Sequence, residues 1–227
     1  MKEIKNIHDF IRFVLKKSRS GYLSPEEIDS TVNRASIDRW NKYTGDIADY
    51  QKGASFSPVN PTSSQKVIDR LRVFDRKSVI TITSGTGSIP SNYGILDMCS
   101  FFPTNISEGV EVRHINKGKW QDRIQKKVST PTESNPVFMI HQETIEVRPK
   151  TIKEVELYYK KKPVSAVYAY TYDADNYPVY EDGPSVDIEW GIEEHNEIIT
   201  GALVYLGMNL SDAQAVSYSE SRKQQGK

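Results

Sequence analysis

The sequence has a single cysteine, Cys99, among 227 residues, so it can form neither an intramolecular disulfide nor a cysteine-based zinc cluster. It has no apolar run approaching the ~20 residues that span a bilayer, and its mean hydropathy is −0.58. It also lacks net charge, with 30 Lys plus Arg against 30 Asp plus Glu. That removes any global electrostatic basis for holding nucleic acid or a membrane surface and leaves only local patches to consider. Met1 to Lys17 interleaves lysines with Ile and Phe and has neither the continuous apolar core nor the small-residue cleavage site of a secretory signal. With so little cysteine, the expected compartment is a reducing interior, and the patterns Asn105-Ile106-Ser107 and Asn209-Leu210-Ser211 are read as chance glycosylation matches. His8, His114, His141 and His195 are dispersed, none with another His at helical i+3 or i+4 spacing, so no metal site is expected.

What the chain does carry is aromatic bulk, with 13 Tyr, 7 Phe and 3 Trp in a sequence only 37% hydrophobic. This predicts a thin core and extensive contact surface. The length suits one sizeable domain, or one domain with helical arms. Ile4, Ile7, Phe10, Ile11, Val14 and Leu15 recur at helical spacing and predict an amphipathic helix ending near Ser20-Gly21. Ser24-Pro25-Glu26-Glu27 opens a second helix: Ser24 caps, Pro25 suits the first turn and Glu27 closes a capping box. Its stripe of Ile28, Val32, Ala35 and Trp40 is expected to end at Thr44-Gly45. Residues 53–61 read as a linker or extended arm, and a short helix spans Ser64 to Phe74.

From Lys77 onward the pattern changes to strands. Val79 to Ile82, Tyr93 to Phe102, Val110 to Ile115, Val137 to His141, Thr144 to Arg148, Val155 to Tyr159, Ala166 to Tyr172, Tyr177 to Tyr180 and Val186 to Trp190 are the candidates. Lys117 to Lys127 reads as a short helix inserted among them, and Glu193 to Leu206 as a longer closing helix. The prediction is an α+β fold: N-terminal helices, a central antiparallel β-sheet or sandwich, and a C-terminal helix with an extended tail. The corresponding division is residues 1–76, helical with the linker at 53–61; 77–191, the β-rich core; and 192–227, helix and tail arm.

Charge is unevenly spread along this neutral chain. Between Pro163 and Ser221 there is no Lys or Arg, while Asp173, Asp175, Glu181, Asp182, Asp187, Glu189, Glu193, Glu194, Glu197, Asp212 and Glu220 are all acidic. Cationic concentrations fall at Lys117 to Lys127 and Lys160 to Lys162, and again at the tail. Such opposite patches meet either within one subunit or between copies packed head to tail.

Catalytic signatures are weak. Ser84-Gly85-Thr86-Gly87-Ser88 lacks the third glycine of a dinucleotide fingerprint and the Gly-Lys-Ser/Thr of a P-loop, and reads as a hairpin turn. Asp173-Ala174-Asp175-Asn176 starts like a calcium loop, but Tyr177 stands where an oxygen ligand belongs, so a turn fits better. Cys99, beside Met98 and Phe101, reads as a core residue rather than a nucleophile. Glu193, Glu194 and Glu197 are explained by acidity at a helix start. No enzyme and no cofactor is expected. The basic run containing Lys119, Arg123, Lys126 and Lys127 around Trp120 has the composition of a nucleic-acid patch, but reads better as a solvated helix face with Trp120 turned inward. Tyr218, Arg222 and Lys223 are the candidate contact residues of the tail.

Several segments, in their order, resemble one family. Val32-Asn33-Arg34-Ala35 through Trp40-Asn41-Lys42-Tyr43, Ile68-Asp69-Arg70-Leu71-Arg72-Val73-Phe74, Ile89-Pro90-Ser91-Asn92-Tyr93, Leu157-Tyr158-Tyr159-Lys160-Lys161-Lys162-Pro163 with Val167-Tyr168-Ala169-Tyr170, and Ala202 to Leu210 are similar to segments of the head-to-tail adaptor, or ring, proteins below the portal of tailed bacteriophages, especially short-tailed crAss-like phages. The resemblance implies a structural virion protein at the head-tail junction, assembled in the host cytoplasm. Its implied partners are copies of itself in a ring of about twelve where portal-bound, the portal protein, and adjacent tail or ring proteins. Passive contact with passing DNA is also implied, and no membrane. It transfers no catalytic residue. The alternatives are another neck or tail-completion protein, or a carbohydrate- or nucleic-acid-binding β module.

Overall fold

A computed structural model of the chain describes residues 2–17, 23–51, 61–102, 109–125, 130–175 and 177–207. In chain order the elements are α1 (Glu3–Lys17), α2 (Pro25–Gln51), α3 (Pro61–Leu71) with a 3-10 turn at Arg72–Phe74, β1 (Asp75–Thr81), β2 (Thr86–Ser88), β3 (Tyr93–Phe101), β4 (Val110–Glu111), β5 (Arg113–His114), α4 (Lys117–Gln125), β6 (Val137–His141), β7 (Thr144–Arg148), β8 (Glu154–Lys161), β9 (Tyr170–Tyr172), β10 (Pro178–Tyr180) and α5 (Ile192–Tyr205). The fold is mixed α+β. The elements fall into two compact units, Met1–Val73 with Pro163–Lys227, and Phe74–Lys162.

In the first unit, α1 buries Ile4, Ile7, Ile11 and Leu15 of the six residues its periodicity marks, while Phe10 stays 49% exposed and Val14 half-buried. Its amino end is capped from far along the chain: the Asp187 carboxylate accepts the backbone N–H groups of Glu3 at 3.0 Å and Ile4 at 2.8 Å. The capping box of α2 forms as expected, with Glu27 N–H donating to Ser24 Oγ at 3.3 Å and Ser24 N–H to Glu27 Oε2 at 2.8 Å. α2 does not stop at Thr44-Gly45 but runs on to Gln51. Thr44 Oγ1 donates back to the Trp40 carbonyl at 2.8 Å, and one glycine costs a helix only about 1 kcal/mol relative to alanine. α5 packs along α2. A Cβ at Gly201 would lie 3.1 Å from Ala35 Cβ, so a small residue there permits the close approach.

The stretch 163–191, expected with the central sheet, belongs to this helical unit. Polar side chains of α2 hold it: Asn33 bonds both the N–H and the carbonyl of Ala166 at 2.8 Å, Asp29 accepts the Tyr168 N–H at 3.0 Å, and Ser36 Oγ accepts Trp190 Nε1–H at 2.8 Å. Val186 to Trp190 is not a strand. Beyond the single Val167–Val186 bridge, Asp187 is engaged in capping α1 and Trp190 reaches Ser36, so this backbone is fixed by side-chain bonds rather than a ladder.

The second unit holds two four-stranded sheets, ordered β1-β8-β3-β4 and β2-β7-β6-β5. All pairs are antiparallel except β5 with β6. The sheets share a core of Ile80, Ile82, Cys99, Phe101, Val112, Phe138, Ile145, Val147, Ile152, Val155, Leu157 and Tyr159. Val110 to Ile115, read as one strand, divides at Val112. That residue is buried, and its N–H donates to Cys99 while the next, Arg113 N–H, donates to Pro136, carrying the chain from one sheet to the other. β1 and β8, the first and last strands, pair directly, with Asp75 opposite Lys160 and a 2.5 Å ion pair between their side chains.

Candidate functional site

The turn Ser84-Gly85 takes left-handed backbone, at φ 56° and 91°, and Thr83 and Thr86 exchange two backbone hydrogen bonds across it. It is a hairpin turn of the two-residue kind that favours glycine. The Asp173 carboxylate accepts the backbone N–H groups of Asp175 at 3.0 Å and Tyr177 at 2.8 Å, so Asp173 shapes the β9–β10 turn. Cys99 is buried, and that burial pushes its thiol up to about 12, far from a reactive thiolate. Among the described residues, no group of three or more His, Cys, Asp or Glu side chains gathers as a metal cage. No helix there is long and apolar enough to cross a membrane.

Of the acidic residues at the start of α5, Glu194 departs from the sequence reading. It is buried rather than an exposed helix-start carboxylate, at 2% exposure. Its Oε2 accepts from Arg39 Nε at 2.6 Å and from the Tyr43 hydroxyl at 2.8 Å, and Arg70 Nε lies 2.9 Å from Oε1. The approach of Arg70 is too oblique to count as a hydrogen bond, so that contact is chiefly coulombic. Arg70 Nη1 instead donates to the Tyr43 oxygen at 2.7 Å. Burial, then the bond to Glu194, raises the Tyr43 phenol above its ordinary range. Beside this network a cleft of about 740 Å³ is lined by Lys66, Asp69, Arg70, Val73, Gly191, Ile192, Glu193 and Glu194. Of its charged lining, Arg70 and Glu194 pair with one another, while Asp69 accepts from Gln65.

The basic run falls only partly within the described residues. Lys119 and Arg123 lie on α4; Lys126, Lys127, Tyr218, Arg222 and Lys223 lie outside the described residues. Trp120 faces inward at 4% exposure, packed with Val137 and Met139. A shallow cleft of about 680 Å³ brings Lys119 and Arg123 together with Arg113, His114, Ile115, Asn116 and Asp122. Arg113 was not singled out from the sequence and His114 was weighed only as a metal ligand, although both precede the basic helix by only a few residues. The first turn of α4 contains no carboxylate, so Lys117 and Lys119 sit at the positive end of the helix dipole without compensation. Neither these lysines nor Arg113 and Arg123 join an ion pair among the described residues. The His114 edge is open to solvent, yet burial of its inner part, with the ring 5.2 Å from Phe138, lowers its basicity. At neutral pH the cleft therefore draws its positive charge from the Arg and Lys side chains.

A second exposed surface is the β9–β10 hairpin. Its register pairs Val179 with Thr171 and Pro178 with Tyr172, so alternation puts Tyr177, Val179 and Thr171 on one face and Tyr170, Tyr172, Pro178 and Tyr180 on the other. The latter face is engaged at Tyr180, which packs 4.9 Å from Tyr168, and at the Tyr170 hydroxyl, which bonds Glu26, while Tyr172 stays 60% exposed. The former leaves Tyr177 67% and Val179 48% exposed. Asp175 and Glu181, also exposed, have no cationic partner among the described residues.

No protein-family model matches this sequence, and no curated protein matches it. The functional reading therefore stands on these surfaces and on the resemblance of segments given above.

Proposed function

We propose that this chain is a structural adaptor that works by adhesion: a ring-forming subunit at the head-tail junction of a tailed bacteriophage, between the portal and the next tail component. The observation that carries the reading is the amount of apolar side chain the helical unit leaves in water. Ile192 is 74% exposed, Val204 55%, Phe10 49% and Ile37 48%. Exposed apolar groups of this number on one unit support a protein that buries them against others, and interfaces repeated around a closed ring multiply weak contacts into a firm assembly. The two charged clefts, one with its buried Glu194 held by Arg39 and Arg70 and the other shallow and basic, add support for contact rather than chemistry.

The test is the mass of the purified protein alone and mixed with a portal. Assembly on the portal supports the adaptor, whether or not the free chain is monomeric; no association with a portal or tail component overturns it. The α4 cleft favours one rival, a nucleic-acid-binding β module. Replacing Lys119, Arg123, Lys126 and Lys127 together separates the two: lost ring assembly supports the adaptor, and lost retention of duplex DNA supports the rival.

A further inference from the structure

Two surfaces of this chain carry charge that nothing among its described residues compensates, and the charges are opposite. The α4 cleft presents Arg113, Lys119 and Arg123 against the single carboxylate of Asp122, over an apolar floor at Ile115. The free face of the β9–β10 hairpin presents Tyr177 and Val179 flanked by Asp175 and Glu181, in a stretch of chain, 163–221, that contains no Lys or Arg. Buried ion networks elsewhere show what this sequence does with charges it uses internally: Glu194 meets Arg39 and Arg70, and Lys160 meets Asp75. The α4 lysines instead oppose the dipole of their own helix, a placement that weakens the isolated unit and is relieved by an arriving anion.

We propose that the β9–β10 hairpin of one copy seats in the α4 cleft of a second copy. The inference rests on the self-assembling reading above and names the surfaces that meet. Tyr177 is the anchor: a tyrosine ring buries on the order of 150–250 Å² when fully covered, and at 67% exposure most of that area is free. Asp175 and Glu181 face the cleft cations and set orientation, since complementary charge fixes register and speeds encounter more than it adds affinity. The two surfaces are different, so the contact is heterologous and each copy still offers one free hairpin and one free cleft, the condition for a chain of copies that closes into a ring.

The test is disulfide trapping between full-length chains, which captures a contact too weak to give a stable dimer. Chains carrying Val179→Cys, which leaves the Tyr177 anchor in place on the same face, are mixed with chains carrying Lys119→Cys under mild oxidation; native Cys99 is buried and stays out of the reaction. The expected result is a mixed dimer that forms about ten-fold faster than either homodimer, slowed by roughly half-molar salt as screened charge requires. Adding Arg123→Glu to the Lys119→Cys chain slows trapping, and adding Glu181→Lys to the Val179→Cys chain restores it. A mixed dimer that forms no faster than the homodimers, or trapping indifferent to both charge reversals, overturns the proposal. Assembly on a portal is scored separately with the unmodified chain: if that assembly occurs while trapping fails, the adaptor reading stands and this contact falls; if no assembly occurs, the adaptor reading itself falls.

Discussion

Glu194→Ala removes the anion at the centre of the helical unit, and the structure fixes how costly that is. The carboxylate is 3% exposed at the side chain and faces Arg39, itself only 16% exposed. Removing it leaves Arg39, in a poorly hydrated site, only its longer 3.7 Å pair with exposed Glu197. Loss of a buried partner typically costs 3–5 kcal/mol, here about 3 kcal/mol because Glu197 remains and Arg70 at 36% exposure is partly rescued by water. Glu194→Gln keeps one acceptor oxygen but removes the charge and turns the other oxygen into an NH2 donor facing an arginine, so it recovers at most about 1 kcal/mol of that loss. The control is Asp9→Ala: its pair with Lys5 is 26% and 50% exposed, and such a surface i,i+4 pair is worth under about 0.5 kcal/mol. The assay is equilibrium urea unfolding followed by tryptophan fluorescence, with Trp120 replaced by Phe so that Trp40 and Trp190 of the helical unit report alone. Against a whole-domain stability of roughly 5–15 kcal/mol, a 3 kcal/mol loss moves the midpoint visibly. A Glu194→Ala midpoint within the range of Asp9→Ala would refute the claim that this network holds α2, α3 and α5 together.

Other outcomes follow from the same physical reading. Gly87→Ala would place a Cβ 2.6 Å from Ile80 Cγ2 and 2.9 Å from the Thr81 carbonyl, overpacking worth about 1–3 kcal/mol and measurable as a lower midpoint of the sheet unit. Because burial depresses the His114 imidazole in the fold, its contribution is complete above the ordinary value of 6.5 and is lost as pH falls through the lower folded value. Thermal melts from pH 7.5 downward should show that acid-side loss, and His114→Gln should reduce it. Cys99, with its thiol at about 12, should be inert to iodoacetamide at pH 8 in the native protein and react on unfolding in urea; labelling of the native chain at the rate of a free thiol would contradict its place in the core.

The elements easiest to read in the sequence were those whose signal is local. α1 follows from the spacing of Ile4, Ile7, Ile11 and Leu15, and the start of α2 from the Ser24 to Glu27 capping box, both encoded within a few residues. Strands β6 and β7 appeared at their expected residues for the same reason. What was not legible depends on partners distant in the chain. Glu194 looks like any acidic residue at a helix start, and only α2 and α3, more than a hundred residues away in sequence, make it a buried ion. Residues 163–191 have strand-like composition, yet Asn33 and Asp29 bind their backbone into the helical unit, and no periodicity announces a side-chain clamp. The basic cleft was half visible: Lys119 and Arg123 stood out by composition, while Arg113 and His114 needed the β5–β6 pairing to bring them alongside.

The pairing of β1 with β8 has an evolutionary corollary. The sheet unit begins and ends on neighbouring strands, with Asp75 facing Lys160, so its two ends are roughly 5 Å apart at the Cα atoms. A segment with adjoining ends can be spliced into a host loop, or cut out of it, without stretching the polypeptide on either side, which is where domain insertions succeed. The helical unit is the host in sequence, interrupted at Val73 and resumed at Pro163, and these two joins are where the sheet unit could be exchanged as a block without lengthening either linker.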